Sequence, residues 1–292
     1  MFFQLLFNGI IAGSAYALVA VSFTVIYRVV KFFHFAHGIV YAIGAYFAYT
    51  LYAVHGVNFI VSLLLASMLT GLIGITIDRF VYSPLRRRRS PNLVFLLASF
   101  GIFIFLQNLL QLIYGVQVLT LRTDPVKEGF HFLGAVITGT QILIVGTSVI
   151  VTLGVWLFVK KTKLGKAMRA VADDPWAASV VGICPQRIIV ASFFIGSALA
   201  GAAGVLVSLE TNIDPTMVMN TILKGIIASI IGGIGSIPGA MFGGLFLGSA
   251  ENLGIWQIPS GWKDCIAFGI LILFLLFKPG GISGVRAEKE CL

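Results

Sequence analysis

Charge is scarce in this sequence. Asp, Glu, Lys and Arg make up 11% of 292 residues, against about a quarter in an ordinary soluble domain, while 58% of the chain is hydrophobic and the mean hydropathy is +1.00. That excludes a water-soluble globular domain and makes the bilayer the solvent. Cysteine is nearly missing too: Cys184, Cys265 and Cys291 are unevenly spaced, so they set up no disulfide framework, and Cys291 makes no prenylation box. No GxxxxGK[ST] phosphate loop occurs, so ATP binding through that motif is excluded. If ATP drives the protein, a partner brings it. No basic stretch precedes the first apolar run, and the first charged residue is Arg28. The start is therefore expected to be a retained span that serves as its own insertion signal.

The charge that is present has one dominant sign, with 20 Lys and Arg against 11 Asp and Glu, a net +9. The basic residues sit in short loops between apolar runs, which membrane topology explains without nucleic acid. His34 and His37 are three apart and share a helix face, but two ligands without neighbouring carboxylates or thiolates make a weak metal site. No catalytic, cofactor or metal residues are assigned.

A membrane-crossing helix needs about 20 apolar residues. Candidate spans are 5–27, 38–54, 59–77, 93–114, 141–159, 188–209, 221–254 and 265–277. The expected fold is thus all-α, a polytopic membrane protein of about eight transmembrane helices, forming one domain over 1–292. The first, third and fifth loops hold two, five and six Lys and Arg, the second none, and the fourth Arg122 and Lys127. Positive loops face the cytoplasm, which puts the odd loops inside and the amino terminus outside. Lys278, Arg286 and Lys289 argue for an inside carboxyl terminus, yet eight simple spans return both termini to one side, so one crossing is miscounted. The error is expected in 221–254, too long for one crossing and broken by Gly232, Gly233, Gly235, Pro238 and Gly239. Two readings are open: a broken or re-entrant segment of two pieces, or a kinked helix whose glycines meet a neighbour. Gly38, Gly44 and Ala48, and Ala200, Gly201 and Gly204, suit tight helix packing.

Residues 160–187, KKTKLGKAMRAVADDPWAASVVGICPQR, are the one long polar interruption. Lys160, Lys161, Lys163, Lys166 and Arg169 place them in the cytoplasm. The small and apolar residues of 168–181 suit a short amphipathic helix that docks on a partner, although a merely solvated topogenic loop accounts for the charge as well. Ala177 and Ala178, followed at three residues' distance by Gly182, resemble the coupling loop of ATP-binding-cassette (ABC) importer permeases. The acidic residue usual before the alanines is replaced by Trp176, with Asp173 and Asp174 close by.

Over nearly the whole chain the sequence resembles the inner-membrane permease of the branched-chain amino acid ABC importers, the Liv type. The stretches that carry this are NGIIAGSAYALVAVSFTVIY with HFAHGIVYAIGAY, where His34 stands in place of the usual Asn, then SPNLVFLLASFGIFIFLQN, KLGKAMRAVADDPWAASVVGI and, most strongly, IIGGIGSIPGAMFGGLFLG at 230–248. The resemblance implies a non-catalytic, multi-pass subunit of a bacterial plasma membrane. Its implied partners are a second homologous permease, two cytoplasmic ATPases that hold ATP and Mg, a soluble periplasmic or extracellular substrate-binding protein, and membrane lipid. Asp173, Asp174, Trp176, Ala177, Ala178 and Gly182 would couple to the ATPase.

The pathway would be lined by uncharged polar and aromatic groups, for which Asn8, Ser14, Tyr16, Ser99, Gln107 and Asn108 are candidates; interhelical hydrogen bonding accounts for them equally. Glu210 and Asp214 would receive the binding protein at the outer rim, or be solvated loop residues. Glu251 ends an apolar run and is expected at the interface, since burial unpaired costs about 2.5–3.5 kcal/mol. The expected substrate is a branched-chain or other hydrophobic amino acid, with urea or short amides as the alternative cargo. The rival class is an ATP-independent secondary transporter, which usually keeps ionisable residues within its spans.

Overall fold

The computed structural model describes residues 2–121, 129–132, 134–256 and 259–283. Arg122, Lys127, Arg286, Lys289 and Cys291 lie outside the described residues. Twelve α-helical segments run through the described chain. The long ones are uninterrupted apolar runs: α1 (Phe2–Val30), α3 (Phe59–Ile77), α5 (Asn92–Tyr114), α6 (Gly139–Lys161) and α9 (Pro185–Ser208). Helix α2 (Ala36–Ala48) widens into a π turn over Tyr49–Val54, and α3 passes through another at Asp78–Tyr82 into the short α4 (Ser83–Arg87). Among the described residues the sheet content is one hairpin, β1 (Phe130–Phe132) and β2 (Ala135–Ile137), paired antiparallel, besides an isolated bridge between Leu119 and Ile213.

The fold is all-α and membrane-type, but the count of about eight spans is not reached. Among the described residues five helices are long and apolar enough to cross a bilayer, or six if α10 (Met217–Gly232) and α11 (Ile237–Gly254) form one bent span. The shortfall has a physical cause. The two expected spans that fall short are 38–54 and 265–277: α2 has 13 residues before its π turn and α12 (Lys263–Phe277) has 15, each rising less than about 25 Å as an α-helix, whereas the hydrocarbon core is about 30 Å thick.

Helix α1 is the centre of the bundle, buried along most of its length. It packs on α11 through small residues: a Cβ on Gly13 would lie 2.8 Å from Leu245 Cα, and one on Gly9 2.9 Å from Ser249 Cα. Any side chain there forces the backbones apart, the requirement that small residues meet in membrane helices. Gly44 of α2 likewise faces Gly201 of α9. The outer helices α3, α5 and α6 turn bare apolar side chains outward, among them Leu64, Leu72, Leu112 and Ile150, a surface that suits lipid.

The segment 221–254 is two helices whose axes bend by 118°. Gly233 and Gly235, at φ 105° and 88°, take a left-handed conformation that a β-carbon opposes. Ser236 then accepts a hydrogen bond from Gly239 N at 3.1 Å and starts α11, with Pro238 in its first turn. The free carbonyls at the end of α10 are met by returning chain, Ile282 N to Ile231 O at 2.8 Å and Ser283 N to Gly232 O at 2.9 Å. Helix α10 runs alongside α1 in the same direction, with Lys224 beside Tyr16 and Ser229 2.9 Å from Thr24. Helix α11 runs back against it, pairing Leu245 with Gly13 and Ser249 with Gly9.

Candidate functional site

Three basic loops gather at one end of the bundle. Arg28 and Lys31 share a cavity with Asp173, and Gln186 Nε2 donates to Ser83 Oγ at 3.0 Å, tying the fifth loop to the first residue of α4, the helix that leads into Arg86–Arg89. At this basic end, 168–181 is not one helix. Pro175 has no N–H and excludes helical geometry from the residue before it, so α7 (Lys163–Asp173) stops and α8 (Pro175–Val180) begins anew. Asp174 is extended and caps α8, its Oδ1 accepting from Trp176 N at 2.8 Å and Ala177 N at 3.1 Å. Met168, Val171 and Ala172 of α7 and Ala178 of α8 turn into the protein.

Helix α8 ends on Gly182. Its φ is +86°, and Gly182 N to Ser179 O at 3.1 Å with Ile183 N to Ala178 O at 3.0 Å closes a Schellman turn. No described atom lies within 4 Å of a Cβ placed there, so conformation rather than space demands glycine. What α8 presents outward is Trp176, Ala177, Val180 and Val181, with Trp176 76% exposed. The two valines had no sequence signal beyond their polar surroundings.

Behind α7 lies an open cavity of about 770 Å³ lined by Arg28, Lys31, Asp173, Gly235, Pro238 and Ser283. It brings the polar loop and the helix break together. Gly232, Gly233 and Gly239 lie beside this junction in sequence but do not line the cavity.

At the opposite end, near the β-hairpin, a cavity of about 390 Å³ opens between α1, α6, α9 and α11. Asn8 and Tyr16 line it, together with Gln141, Glu210, Asn252 and Lys263. The other polar candidates have local partners. Ser14 Oγ donates to Ile10 O at 2.7 Å, Ser99 Oγ accepts from Ala36 N at 3.1 Å, Gln107 Nε2 donates to Pro215 O at 3.2 Å, and Asn108 Nδ2 donates to Ile104 O at 2.8 Å. None of these four lines either cavity. Asp214 accepts from Thr216 in the turn before α10.

Glu251 is not interfacial. It is fully buried, and its Oε2 accepts from the Tyr16 hydroxyl at 3.0 Å and from Lys224 Nζ at 3.2 Å. Lys224 also lies 3.2 Å from the half-exposed Asp264 at the start of α12. Lys224 stands inside the run 221–254 and its partner is 27 residues away, so only the α10–α11 reversal brings them together. Pairing offsets part of the cost that a lone ion carries there. His34 Nδ1 lies 2.8 Å from Tyr82 Oη and His37 Nε2 2.8 Å from Ser22 Oγ. Among the described residues no three His, Cys, Asp or Glu gather as a metal site would need.

Residues 5–275 match the family described as branched-chain amino acid transport system, permease component. The high-affinity branched-chain amino acid transport system permease protein BraD of Pseudomonas aeruginosa is 39% identical over 99% of this chain and 97% of its own length. The corresponding protein LivH of Escherichia coli K12 is 37% identical over the same shares. A probable branched-chain amino acid permease of Methanocaldococcus jannaschii is 29% identical over 98% of this chain and 94% of its own. Among solved structures, PsaBC from Streptococcus pneumoniae in complex with Fab shares the fold at TM-score 0.53 and 13% identity, covering 94% of this chain and 91% of that one.

Proposed function

This chain belongs to the permease components of branched-chain amino acid transport systems, and from that membership we propose that it forms half of the translocation pathway of an ATP-driven importer for branched-chain amino acids in a bacterial inner membrane. It works with a second homologous permease, two cytoplasmic ATPases and a soluble binding protein. ATP and Mg belong to the ATPases. The observation that carries the reading, beyond the full-length similarity, is the α8 cap: a small, rigidly capped helix that projects Trp176, Val180 and Val181 at the basic end of an otherwise lipid-facing molecule. An exposed apolar knob with a polar rim marks a protein contact.

The basic end is cytoplasmic in this reading, since positive loops stay inside. Helix α2 with its π turn, α10, α11 and α12 complete nine crossings, amino end outside and carboxyl end inside, the short helices reaching both faces through adjoining chain and a locally thinned bilayer. The reversal between α10 and α11 supports this, because it supplies the odd crossing that the Lys and Arg distribution needs.

Coupling then has a short route. ATP binding changes the spacing of the two ATPases and moves α8, and α7 carries the movement to the cavity where Asp173 meets Arg28 at the end of α1 and Gly235 and Pro238 at the helix break. The packed bundle switches between two arrangements rather than deforming smoothly. The Lys224–Glu251 pair is a feature that a secondary transporter would also show; here each charge is held by the other and by Tyr16, a structural bond between helices. Urea or short amides as cargo find no support in the relatives' names.

Co-expression with the ATPase, second permease and binding protein of the same system tests the assignment. A complex that hydrolyses ATP in detergent, with no hydrolysis by this chain alone, is the expected result. Hydrolysis by the isolated chain, or no association with any ATPase, contradicts it.

A further inference from the structure

A further cavity opens at the basic end and takes no part in the coupling route. Its volume, about 650 Å³, falls in the range of about 300–1,000 Å³ typical of small-molecule sites. It lies where α3 turns through its π segment into α4 and meets the start of α9, and Arg79, Arg87 and Arg88 line it with Phe80, Ser83 and Gln186. Asp78 is the carboxylate in that wall, and its charge is already taken, since Arg86 Nη2 donates to its Oδ1 at 2.6 Å. Among the described residues no carboxylate pairs with Arg79, Arg87 or Arg88. Three cations therefore border one cavity without a fixed anion to balance them. Orienting the neighbouring spans requires only that the loop be basic, and arginines in open solvent would serve that purpose equally.

The cavity also adjoins the lipid-facing surface. Phe80 in its wall is 75% exposed, and Leu69, Leu72, Thr76 and Phe80 lie exposed along one side of α3 and its π segment at three- and four-residue spacing. We propose that this cavity holds the headgroup of an anionic phospholipid of the cytoplasmic leaflet, its phosphodiester bound by the arginines and its acyl chains lying on the Phe80 side of α3. Guanidinium matches phosphate in a fixed fork, and basic pockets between helices on the cytoplasmic side suit anionic headgroups. A soluble phosphate would use the arginines alone and leave the apolar track without a role. Gln186 lines the cavity and donates to Ser83 Oγ, so the occupant touches the bond that ties the coupling-loop end of α9 to α4. Only the choice of leaflet rests on the import reading above; the site itself rests on the side chains of this chain.

The test uses the full-length chain in phosphatidylcholine nanodiscs, with Cys184, Cys265 and Cys291 replaced by Ser and a fluorophore on Thr76→Cys, which is on the exposed track and outside the cavity wall. Phosphatidylglycerol or phosphatidylcholine carrying a nitroxide on the same acyl chain is then mixed in as quencher. Phosphatidylcholine brings a cation of its own to three others, so half-maximal quenching is expected at a mole fraction of phosphatidylglycerol lower by about tenfold or more. Arg88→Gln should cut this preference about fivefold. Arg89→Gln removes the same charge from the next position, outside the wall, and should leave the preference intact. The comparison of the two lipids needs no charge variant, so it decides the matter even where a variant fails to fold. Equal quenching by the two lipids, or an equal loss in Arg88→Gln and Arg89→Gln, overturns the site. Loss of the preference in millimolar inorganic phosphate at constant ionic strength would assign the arginines to a soluble anion, and loss on assembly with the second permease and the ATPases would assign them to a protein partner; either result also overturns it. No step involves leucine or ATP-driven uptake, so this inference and the import reading fail separately.

Discussion

Lys224 Nζ lies 3.2 Å from Glu251 Oε2, an ion pair closed between two helices whose axes bend by 118° at a glycine break. Tyr16 joins it from α1. The pair therefore fixes the α10–α11 hairpin against the central helix, and its removal should be read as a loss of architecture.

Breaking one partner leaves the other buried and uncompensated. Lys224→Met should destabilise the protein by about 3–5 kcal/mol, whereas Lys224→Met with Glu251→Leu should lose much less, because replacing both charges removes the desolvation cost as well. Thermal unfolding of the two variants in detergent measures the difference. A double variant less stable than the single one would contradict the pairing.

Gly182 separates two accounts of the coupling loop. If the residue must be small to enter a cleft, Gly182→Ala should be tolerated and Gly182→Leu should not. The φ of +86° with open space around it predicts instead that both lose coupled transport to a similar degree, at about 1–2 kcal/mol of backbone strain, and that Gly182→Asn is milder. Leucine uptake and ATP hydrolysis measured side by side on the three variants, all inserted normally, give the order.

The cap and the knob of α8 should fail differently. Asp174→Ala removes the acceptor for two backbone N–H groups and should cost about 0.5–2 kcal/mol of local helix stability, with Asp174→Asn close to neutral. Trp176→Ala leaves the helix intact and should weaken ATPase association by about 2 kcal/mol or more, the scale of an interface anchor. Affinity of the permease pair for its ATPase, titrated in nanodiscs, distinguishes them; unchanged affinity in Trp176→Ala would remove α8 as the docking element.

Much of this was legible in advance. Apolar runs and Lys and Arg placement located α1, α3, α5, α6 and α9, because length and hydropathy are what the bilayer selects. Gly233 and Gly235 marked the break, since a positive φ leaves few alternatives. The π turns after α2 and α3 had no such mark: widening a helix by one residue per turn changes hydrogen bonding and not hydropathy. Asp174–Pro175 did carry a local signal for splitting the loop helix, and the smooth run of small residues around it concealed it. Burial of Glu251 was illegible from neighbours alone, as its partner Lys224 is close only in three dimensions. For the polar candidates, the sequence could not separate Asn8 and Tyr16, which line a cavity, from Ser14, Ser99, Gln107 and Asn108, which are bonded within the bundle, since one residue type serves both ends.

Topology offers an independent check. In a cysteine-free background, Ser90→Cys beside the four arginines should resist an impermeant thiol reagent added outside, Trp256→Cys after α11 should react, and Ser283→Cys should resist. Nine crossings require this pattern. Reaction at Ser283 would mean that α10 and α11 together cross once and that the carboxyl end is outside.

The central claim is that this chain is a transport subunit powered from outside itself, and the direct measurement is uptake of radiolabelled leucine into proteoliposomes. With the second permease, both ATPases and the binding protein present, leucine should accumulate above its external concentration only when ATP reaches the ATPase side; omitting any component should abolish accumulation. Concentrative leucine uptake by this chain alone, without ATP, would contradict the account.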